Sequence, residues 1–425
     1  MDGRGSVKRA SMRYGDRLFT FAEMGYWFVL AKARAHVRDI CNAPEDILSM
    51  EAAAEELLQL RHTVGPLFCD ETYHIPAIRA SLNLNLANVL PSLIDEVDCC
   101  FKEFIDSRLK PGKGRNIKYL EIVSRFPSQI FLVGPIIKML VPKFLKRFTG
   151  SVFRTVYGHH RRLLKLVRPV IEETRDRRKR QLEAPTGSEN MIDWLMNAAP
   201  DGNEQSAESL AMRLLNVNFV ALHTTTKIFI HALYNLAANP CYIPILRDEL
   251  QANIGRRDPT RWSTQALARC AKLDSFLRET LRFNVLASIS MSRVALRDFR
   301  FSDGTTIPAG YFVAVASDVA QHNEAVYPSP QEFRPFRFVT DDPGSVNDWQ
   351  NKMTCASESF LAFGGGRHVC PGRFFAATEL KIFMAYLVLN YDVKMTCEGV
   401  RPADKWLGIM ASPSSTARIM IRKRP

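Results

Sequence analysis

Apolar residues recur at helical spacing along most of the chain, from about Ala52 to Ala238 and again up to Arg282. Spacing of three and four residues between apolar positions is typical of amphipathic helices, so the pattern predicts a mainly α-helical protein. Prolines interrupt this pattern and predict helix boundaries, because a proline lacks the backbone N–H that a helix interior uses. The boundary prolines are Pro66, Pro91, Pro127, Pro142 and Pro200.

Strand signals are short and scattered. Leu18–Phe21 and Trp27–Leu30 flank a turn with Gly25 and predict a β-hairpin. No internal repeat and no clear linker divides the chain, which predicts one domain spanning residues 1–425, mainly α with small β-sheets. The other predicted strands are Phe299–Phe301, Tyr311–Val315, Tyr391–Met395, and Leu407–Ala411 facing Ala417–Ile421 across Ser412–Ser415.

Composition narrows the class of protein. Nine cysteines in 425 residues form no Cys-x-x-Cys pair, which favours neither a disulfide framework nor a zinc site and indicates a cytosol-facing location. The longest apolar candidate, Gln129–Pro142, contains Pro135 and Lys138 and is short of the ~18 residues that a membrane span needs. The sequence therefore predicts no transmembrane helix, and no signal peptide is visible at the start.

The formal net charge is +13, and its densest run is Arg175–Arg180. Such a run suits an anionic membrane, an acidic partner protein or simply the solvated end of a helix. Nucleic acid is excluded as a partner, because no aromatic residues are interleaved with the charges and no binding motif accompanies them.

The segment Phe363–Gly372 reads Phe-Gly-Gly-Gly-Arg-His-Val-Cys-Pro-Gly and precedes an apolar helical stretch, Phe374–Leu389. Glycines let a backbone approach a flat ligand closely, and a thiolate is favoured at the N-terminus of a helix. A cysteine thiolate is also one of the few protein ligands of haem iron. A glycine-rich loop with a buried free cysteine is the simpler alternative.

This segment resembles the haem-binding loop of the cytochromes P450, Phe-x-x-Gly-x-Arg-x-Cys-x-Gly. All fixed positions match except that His368 replaces the arginine, as in related fungal enzymes with Gly-Arg-His-x-Cys-Pro-Gly. The resemblance implies that Cys370 ligates the iron of haem b. It further implies that Phe363, Gly364 and His368 contact the haem, with His368 donating to a propionate.

Glu279 and Arg282 lie three residues apart on a strong helical stretch, Leu273–Phe283, and therefore share one helix face. Alone they would indicate an ordinary surface ion pair. The later segment Phe333–Phe338 resembles the family's Phe-x-Pro-x-Arg-Phe motif. The resemblance implies a structural network of Glu279, Arg282 and Arg337 that holds the haem loop.

A helical stretch of about 30 residues, Ser206–Ala238, would be roughly 50 Å long. Near its middle, Ala221–Thr226 is similar to the family pattern Ala/Gly-Gly-x-Asp/Glu-Thr-Thr. By this resemblance Thr225 is the threonine that serves proton delivery. Thr224 replaces the family's acid and Leu222 its glycine, so proton delivery falls to Thr224, Thr225, water or His223.

Arg293 resembles an arginine that binds a haem propionate, and a solvated strand charge is its alternative. Arg79 falls near the family's Trp-x-x-x-Arg position, although the tryptophan is absent and the spacing differs; the resemblance makes it a second propionate ligand. By the same resemblance, an apolar substrate pocket is lined by Phe219, Val220, Leu286, Ile289, Met410 and Ala411.

The resemblance implies a cytochrome P450 fold and a haem-thiolate monooxygenase that hydroxylates a lipophilic small molecule, such as a terpenoid or other fungal secondary metabolite. Electrons would come from NADPH through NADPH–cytochrome P450 reductase. The implied location is the cytosolic face of the endoplasmic reticulum, with peripheral membrane contact and without the family's N-terminal anchor. A peroxide-dependent oxygenase or rearrangement enzyme, and a non-catalytic haem-binding protein, remain alternatives.

Overall fold

The computed structural model describes residues 2–23, 25–65, 69, 71–105, 117–181, 190–200, 202–256, 261–341 and 346–425. Helices dominate these residues, as the apolar periodicity predicts. A π-helix, Ala77–Leu82, continues α5, and the 3₁₀ helices are Lys143–Leu145, Asn203–Gln205 and Gly366–His368. The α-helices are α1 (Gly3–Tyr14), α2 (Arg34–Asn42), α3 (Met50–Leu58), α4 (Leu60–Thr63), α5 (His74–Pro76), α6 (Leu86–Phe104), α7 (Ile117–Leu140), α8 (Lys146–Tyr157), α9 (His159–Gln181), α10 (Met191–Ala198), α11 (Ala207–Ala238), α12 (Tyr242–Asn253), α13 (Thr264–Arg269), α14 (Ala271–Phe283), α15 (Ser317–Gln321), α16 (Val346–Gln350) and α17 (Arg373–Asn390).

Strands form one five-stranded sheet and three two-stranded sheets within the described residues. The large sheet has the order β1-β2-β7-β4-β3, in which β2 and β7 run parallel and pair Phe28 with Phe312. The hairpin around Gly25 is confirmed as β1 and β2. The strands are β1 (Phe19–Glu23), β2 (Tyr26–Ala31), β3 (Leu48–Ser49), β4 (Ser290–Ala295), β5 (Phe299–Arg300), β6 (Thr306–Ile307), β7 (Phe312–Val315), β8 (Tyr391–Met395), β9 (Lys405–Leu407), β10 (Met410–Ser412) and β11 (Ile419–Lys423).

Contacts divide the chain into two compact units. Unit 1 comprises Met1–Met50, Val89–Asp106 and Thr224–Pro425, and unit 2 comprises Glu51–Asn88 and Ser107–His223. Unit 1 has two apolar cores, one around α14 and α17 and one beneath the large sheet. Unit 2 has its own core, built from α7, α9, α10 and the first half of α11. The reading of the chain as one family domain stays a prediction.

Two of the predicted proline breaks are wrong. Pro91 lies inside α6 and Pro127 inside α7. Burial of the apolar faces of these helices offsets the lost hydrogen bond, whose cost is of the order of 3 kcal/mol. Helices do end before Pro142 and before Pro200, as predicted, whereas Pro66 lies outside the described residues.

The predicted pairing of the C-terminal strands is also wrong. β10 pairs with β9, and β11 pairs with β8. The tight turn is at Gly408, whose φ of +58° suits a glycine, and not at Ser412–Ser415. A local turn signal cannot reveal that β8, which precedes both strands, is the partner of β11.

The N-terminal helix α1 is anchored by a buried carboxylate. Asp318 accepts a hydrogen bond of 2.7 Å from Arg4, lies 3.5 Å from Lys8 and contacts His322. Burial alone would raise the pKa of Asp318, but hydrogen bonds from His322 and Arg4 outweigh it and hold that pKa well below its usual range. The first turns of the chain are therefore part of the folded core of unit 1.

One described helix, α7, is long and apolar enough to cross a membrane by length and composition, over Lys118–Leu140. The sequence predicts no such segment, because Pro135 and Lys138 interrupt the apolar run, but the helix continues through both. Within the most apolar 18-residue stretch of this helix, 44% is buried inside the protein. Since core helices of folded proteins pass the same test, α7 alone is a weak indication of a membrane span.

Candidate functional site

Cys370 lies two residues before Gly372, which caps the N-terminus of α17. Burial raises the pKa of its thiol, while a hydrogen bond from the N–H of Gly372 and the charge of Arg373 act in the opposite direction. The Cys370 N–H donates to the carbonyl of Phe363 at 2.8 Å and closes the loop. Cys370 forms no disulfide, so its sulfur is available as a ligand.

The glycines of this loop let another helix lie directly against it. Gly364 and Gly366 have φ values of +71° and +63°, which disfavour other residues. A Cβ atom on Gly365 would lie 2.7 Å from the Sγ of Cys41, and one on Gly366 would overlap the Cys41 carbonyl. Cys41, at the end of α2, is thus a loop contact that sequence analysis missed.

The predicted charge network is present in unit 1. Arg282 donates two hydrogen bonds to Glu279, at 2.7 and 2.8 Å, and both side chains are fully buried. Arg337 approaches the same carboxylate at 3.1 and 3.2 Å, and the Arg334 N–H adds a further bond at 2.9 Å. The carboxylate of Glu279 is therefore saturated with donors, which makes its burial tolerable.

Gln321 connects this network to the loop. Arg282 donates to the Gln321 carbonyl at 2.9 Å. The side-chain oxygen of Gln321 accepts a 2.9 Å hydrogen bond from the N–H of Leu361, two residues before Phe363. Gln321 is buried, and nothing in the sequence around it indicates this role.

Arg293 is buried on β4, with 3% of its surface exposed. Within the described residues its guanidinium donates one hydrogen bond, to the Ser292 carbonyl at 2.9 Å, and forms no ion pair. Burial lowers its pKa, and the charges of Glu45 and Cys41 oppose this. A buried cation in this state is a fitting partner for an anionic group.

His368 has a carboxylate neighbour that the sequence does not reveal. Its Nε2 lies 2.7 Å from the Oε2 of Glu45, which follows α2 in the chain. Glu45 also accepts a hydrogen bond from Ser49 at 2.7 Å. Donation from His368 to a propionate stays a prediction, and Glu45 would share that environment. Arg79 is exposed on the π-helix of unit 2, and its propionate role likewise stays a prediction.

The predicted long helix is confirmed as α11, which runs unbroken through Ala221–Thr226. Thr225 is partly buried and Thr224 is exposed. One turn further along, Lys227 donates to the Ala411 carbonyl at 3.3 Å, and burial lowers its pKa. Sequence analysis missed this lysine, which ties α11 to β10.

The predicted pocket residues of unit 1 come together. An isolated bridge pairs Ala287 with Met410, and the Ala411 N–H donates to the Leu286 carbonyl at 2.9 Å. Ile289 and Ala411 are buried. Phe219 and Val220 belong to unit 2, where Phe219 packs against Phe126 with ring centroids 6.0 Å apart.

These features fit a haem held by one protein ligand. In the part of the chain that the structure describes, no group of three or more His, Cys, Asp or Glu residues could hold a metal ion. A single thiolate, a buried guanidinium such as Arg293 and glycines that admit a flat molecule are the donors such a group requires.

Comparison with known proteins agrees with this site. The Cytochrome P450 family model matches residues 98–419. Cytochrome P450 monooxygenase 151 of Postia placenta is 33% identical over 455 residues, covering 100% of this chain and 89% of that protein.

Two further relatives come from other fungi. Cytochrome P450 monooxygenase CYP512U6 of Ganoderma lucidum is 28% identical, with 97% of this chain and 85% of that protein covered. Ent-kaurene oxidase P450-4 of Gibberella fujikuroi is 32% identical over 74% of this chain and 62% of its own length. With the family model covering most of the sequence, the chain belongs to the cytochrome P450 family of monooxygenases.

Proposed function

We propose that this cytochrome P450 hydroxylates a lipophilic small molecule, with Cys370 as the thiolate ligand of the haem iron. The observation that carries the proposal is the Cys370 sulfur at the N-terminus of α17, hydrogen-bonded by the Gly372 N–H. Family membership implies haem and electrons from a redox partner. Haem, when bound, supplies the oxygen-activating redox chemistry.

The chain holds the cofactor and controls its surroundings. Coordination to the iron would hold Cys370 as thiolate against the effect of burial, and the Gly372 N–H and the helix dipole both favour the charged sulfur. Arg293 neutralises a propionate, and that pairing offsets the cost of burying its own charge. Phe363 and Gly364 shape the loop surface against the ligand, and Glu45 orients His368.

Thr225 holds and passes a proton at its Oγ1, on the turn of α11 between Thr224 and Thr226. Thr224 stands where the family has an acid, so its hydroxyl, a water molecule or His223 must bring the proton to Thr225. A hydroxyl relay is a weaker acid than a carboxyl group, which makes proton supply the step most sensitive to substitution.

The apolar wall of Leu286, Ile289, Met410 and Ala411 supports a lipophilic substrate. Relatives at 32% identity are named for oxidation of ent-kaurene, which supports a terpenoid or another secondary metabolite. Electrons come from NADPH through NADPH–cytochrome P450 reductase. Arg367, exposed beside the Cys370 loop, and Arg373 offer positive charge for docking that partner.

An apolar surface of unit 2 supports contact with the cytosolic face of the endoplasmic reticulum. No acidic residue occurs in residues 122–171, so every formal charge there is positive or a histidine. Apolar side chains beside cations favour the surface of an anionic membrane. The exposed apolar residues are Phe131, Leu132, Ile136, Met139, Leu140, Phe144, Leu145, Phe148, Val152, Val156 and Tyr157.

Sedimentation with vesicles of phosphatidylcholine and phosphatidylserine tests this surface. Phe144→Ser combined with Phe148→Ser should reduce binding, because both side chains are exposed. Trp349→Ser, an equally exposed apolar site of unit 1, should not. Equal binding by both variants would argue against the surface.

A carbon monoxide difference spectrum tests the iron ligand. The reduced protein should show the far-red-shifted Soret band of a thiolate-ligated haem. Cys370→Ala should lose that band, while Cys397→Ala, at an exposed cysteine, should keep it. Retention of the band in Cys370→Ala would reject the assignment. Lipophilic candidates can then be screened for the spectral shift that follows displacement of iron-bound water.

A second candidate function keeps the fold and changes the reaction. Thr224 in place of the acid favours an oxygenase that uses a hydroperoxide, or a rearrangement enzyme, since neither needs a full proton relay. Product from a hydroperoxide without NADPH and reductase would select it. No turnover under either condition would favour a non-catalytic haem-binding protein.

A further inference from the structure

Unit 2 contains a cavity of about 360 Å³ that the proposed reaction does not use. Its walls come from α7, α8, the start of α9, the start of α11 and the segment Thr63–Gly65. The size falls within the range of small-molecule pockets in proteins, about 300–1,000 Å³. Apolar groups dominate the lining, with Phe126, Ile130, Phe153 and Met212 among them.

A buried histidine without hydrogen bonds lines this cavity. His159 is 7% exposed, and neither ring nitrogen has a hydrogen-bond partner among the described residues. Its ring packs edge-on to Phe126 and parallel to Tyr157, with centroid distances of 6.2 and 6.3 Å. Leaving a buried polar group unpaired is unfavourable, and a ligand with a matching polar atom would remove that cost.

Charge around the cavity favours an anion. Arg154 and Arg161 line it, while Glu208, the one acidic residue among the described lining residues, is paired with Arg168. Burial and the nearby charges of Arg162 and Arg125 lower the pKa of His159, so its ring is neutral at pH 7. A neutral imidazole retains one N–H that can donate to a carboxylate.

The cavity lies away from the predicted catalytic turn along α11. The α11 residues that line it are Glu208, Ser209, Met212 and Arg213. Thr224 follows Arg213 by eleven residues, about 16 Å along a helix that rises 1.5 Å per residue. The α11 residues that line the cavity are therefore separate along the helix from the turn that carries Thr224 and Thr225.

We propose that this cavity is a second binding site, for a lipophilic carboxylate. The apolar body of the ligand packs against Phe126, Ile130 and Met212. Its carboxylate accepts a hydrogen bond from His159 and is held by the positive charges of Arg154 and Arg161. The site binds its ligand whether or not a substrate occupies the haem pocket.

Calorimetric titration of the haem-replete full chain with decanoate tests the proposal. The titration is repeated with a saturating azole inhibitor, which ligates the iron and fills the haem pocket. We expect saturable binding of one decanoate to persist with the azole present, and 1-decanol to bind about tenfold more weakly, because it lacks the charge. If the proposed haem chemistry were wrong, the azole would not bind, yet decanoate binding would remain.

Matched variants locate the site. His159→Leu and Arg161→Gln should each weaken decanoate binding by about three- to tenfold. Lys165→Gln makes the same charge change one turn further along α9, outside the cavity lining, and should bind as the unaltered protein does. Where His159→Leu fails to fold, hydrogen exchange on the unaltered protein decides: decanoate should slow exchange of amides in residues 151–161. The proposal would be overturned if decanoate did not bind in the presence of the azole, or if His159→Leu and Arg161→Gln bound it as tightly as the unaltered protein. It would also be overturned if decanoate did not slow exchange in residues 151–161.

Discussion

The loop that carries Cys370 and the proposed substrate wall of Leu286, Ile289, Met410 and Ala411 belong to the same unit but are held together by different interactions. In the network behind the loop, the buried Glu279 carboxylate accepts hydrogen bonds from Arg282, Arg337 and the Arg334 backbone. The wall instead joins Leu286 to Ala411 through a backbone hydrogen bond, and its side chains are apolar. The ammonium group of Lys227 on α11 donates a hydrogen bond to the Ala411 carbonyl.

The difference teaches where each kind of interaction is needed. A metal ligand must keep one position, and directional hydrogen bonds to charged groups fix position well. A substrate wall must admit differently shaped molecules, and apolar contacts without fixed directions allow this. Substitutions near the loop should therefore change stability and haem retention, whereas substitutions near α11 should change what the enzyme does with oxygen and substrate.

The strongest test of the contrast is Arg282→Ala. It leaves the buried Glu279 carboxylate short of its main partner, at a cost of about 3–5 kcal/mol. We expect loss of haem or failure to accumulate, read from the carbon monoxide spectrum and thermal unfolding. Arg334→Ala is the control, because among the described residues that side chain pairs with the exposed Glu332 and with Ser329. A folded, haem-replete Arg282→Ala enzyme would contradict the structural role.

The second test concerns Glu379 on α17, the helix that follows the Cys370 loop. It asks whether burying an ionised carboxylate there lowers the stability of the protein. Burial raises the pKa of Glu379 to about 7, so the folded protein binds a proton more tightly than the unfolded chain does. The stability from this group is present below pH ~4.5 and is lost as the pH rises through about 7. Glu379→Gln should therefore raise the free energy of unfolding by up to about 3 kcal/mol at pH 8 and change it little at pH 4.

Glu398→Gln, at an exposed position paired with Lys394, is the control for that pH series. Denaturant unfolding at both pH values supplies the measurement. Equal stabilisation of Glu379→Gln at pH 4 and pH 8 would show that ionisation is not the cause.

Gln321→Met should have a smaller effect. The substitution fills a similar volume but removes the acceptor for the Leu361 N–H, at a cost of about 1–3 kcal/mol. We expect a lower melting temperature and faster transfer of haem to apomyoglobin. Gln350→Met, at an exposed position on α16, should change neither. Unchanged haem transfer in Gln321→Met would remove the link between the network and the loop.

Substitutions of the α11 threonines should leave the stability of the protein unchanged and alter the reaction instead. Thr225→Ala should lower product per NADPH by roughly tenfold or more and release more hydrogen peroxide, because proton transfer is impaired. Thr224→Ala should act in the same direction more weakly, and Thr224→Asp should keep or improve coupling. Thr226→Ala is the control. Normal coupling in both alanine variants would favour the peroxide-dependent or rearrangement reaction.

Much of the scaffold could be predicted from local sequence. The hairpin of β1 and β2, the helix with Glu279 and Arg282 and the full length of α11 follow from apolar spacing and turn residues close in the chain. The Cys370 loop could be found because its glycines and its cysteine are contiguous. The pairing of Arg337 with Glu279 was accessible only through resemblance to a family, since 58 residues separate them.

The remaining features depend on residues that are distant in sequence. Glu45 reaches His368, and Cys41 packs on Gly365, without any motif that marks either residue. The partner of β11 could not be inferred, because β9 and β10 lie between β8 and β11 in the chain and no local turn joins the two. The sequence predicts helix ends at Pro91 and Pro127 that the structure does not have. Burial of the helix face keeps these helices continuous, and burial depends on residues far away in the chain.

The anchoring of α1 has a consequence for the order in which this protein folds. Arg4 and Lys8 are synthesised about 310 residues before their partner Asp318. The same holds for β2, whose parallel neighbour β7 begins at Phe312. Contacts of such separation form slowly, since long segments must be ordered before their ends meet. The hairpin of β1 and β2 and the helix α1 therefore wait for their distant partners during synthesis, and the large sheet closes only after β7 has been made.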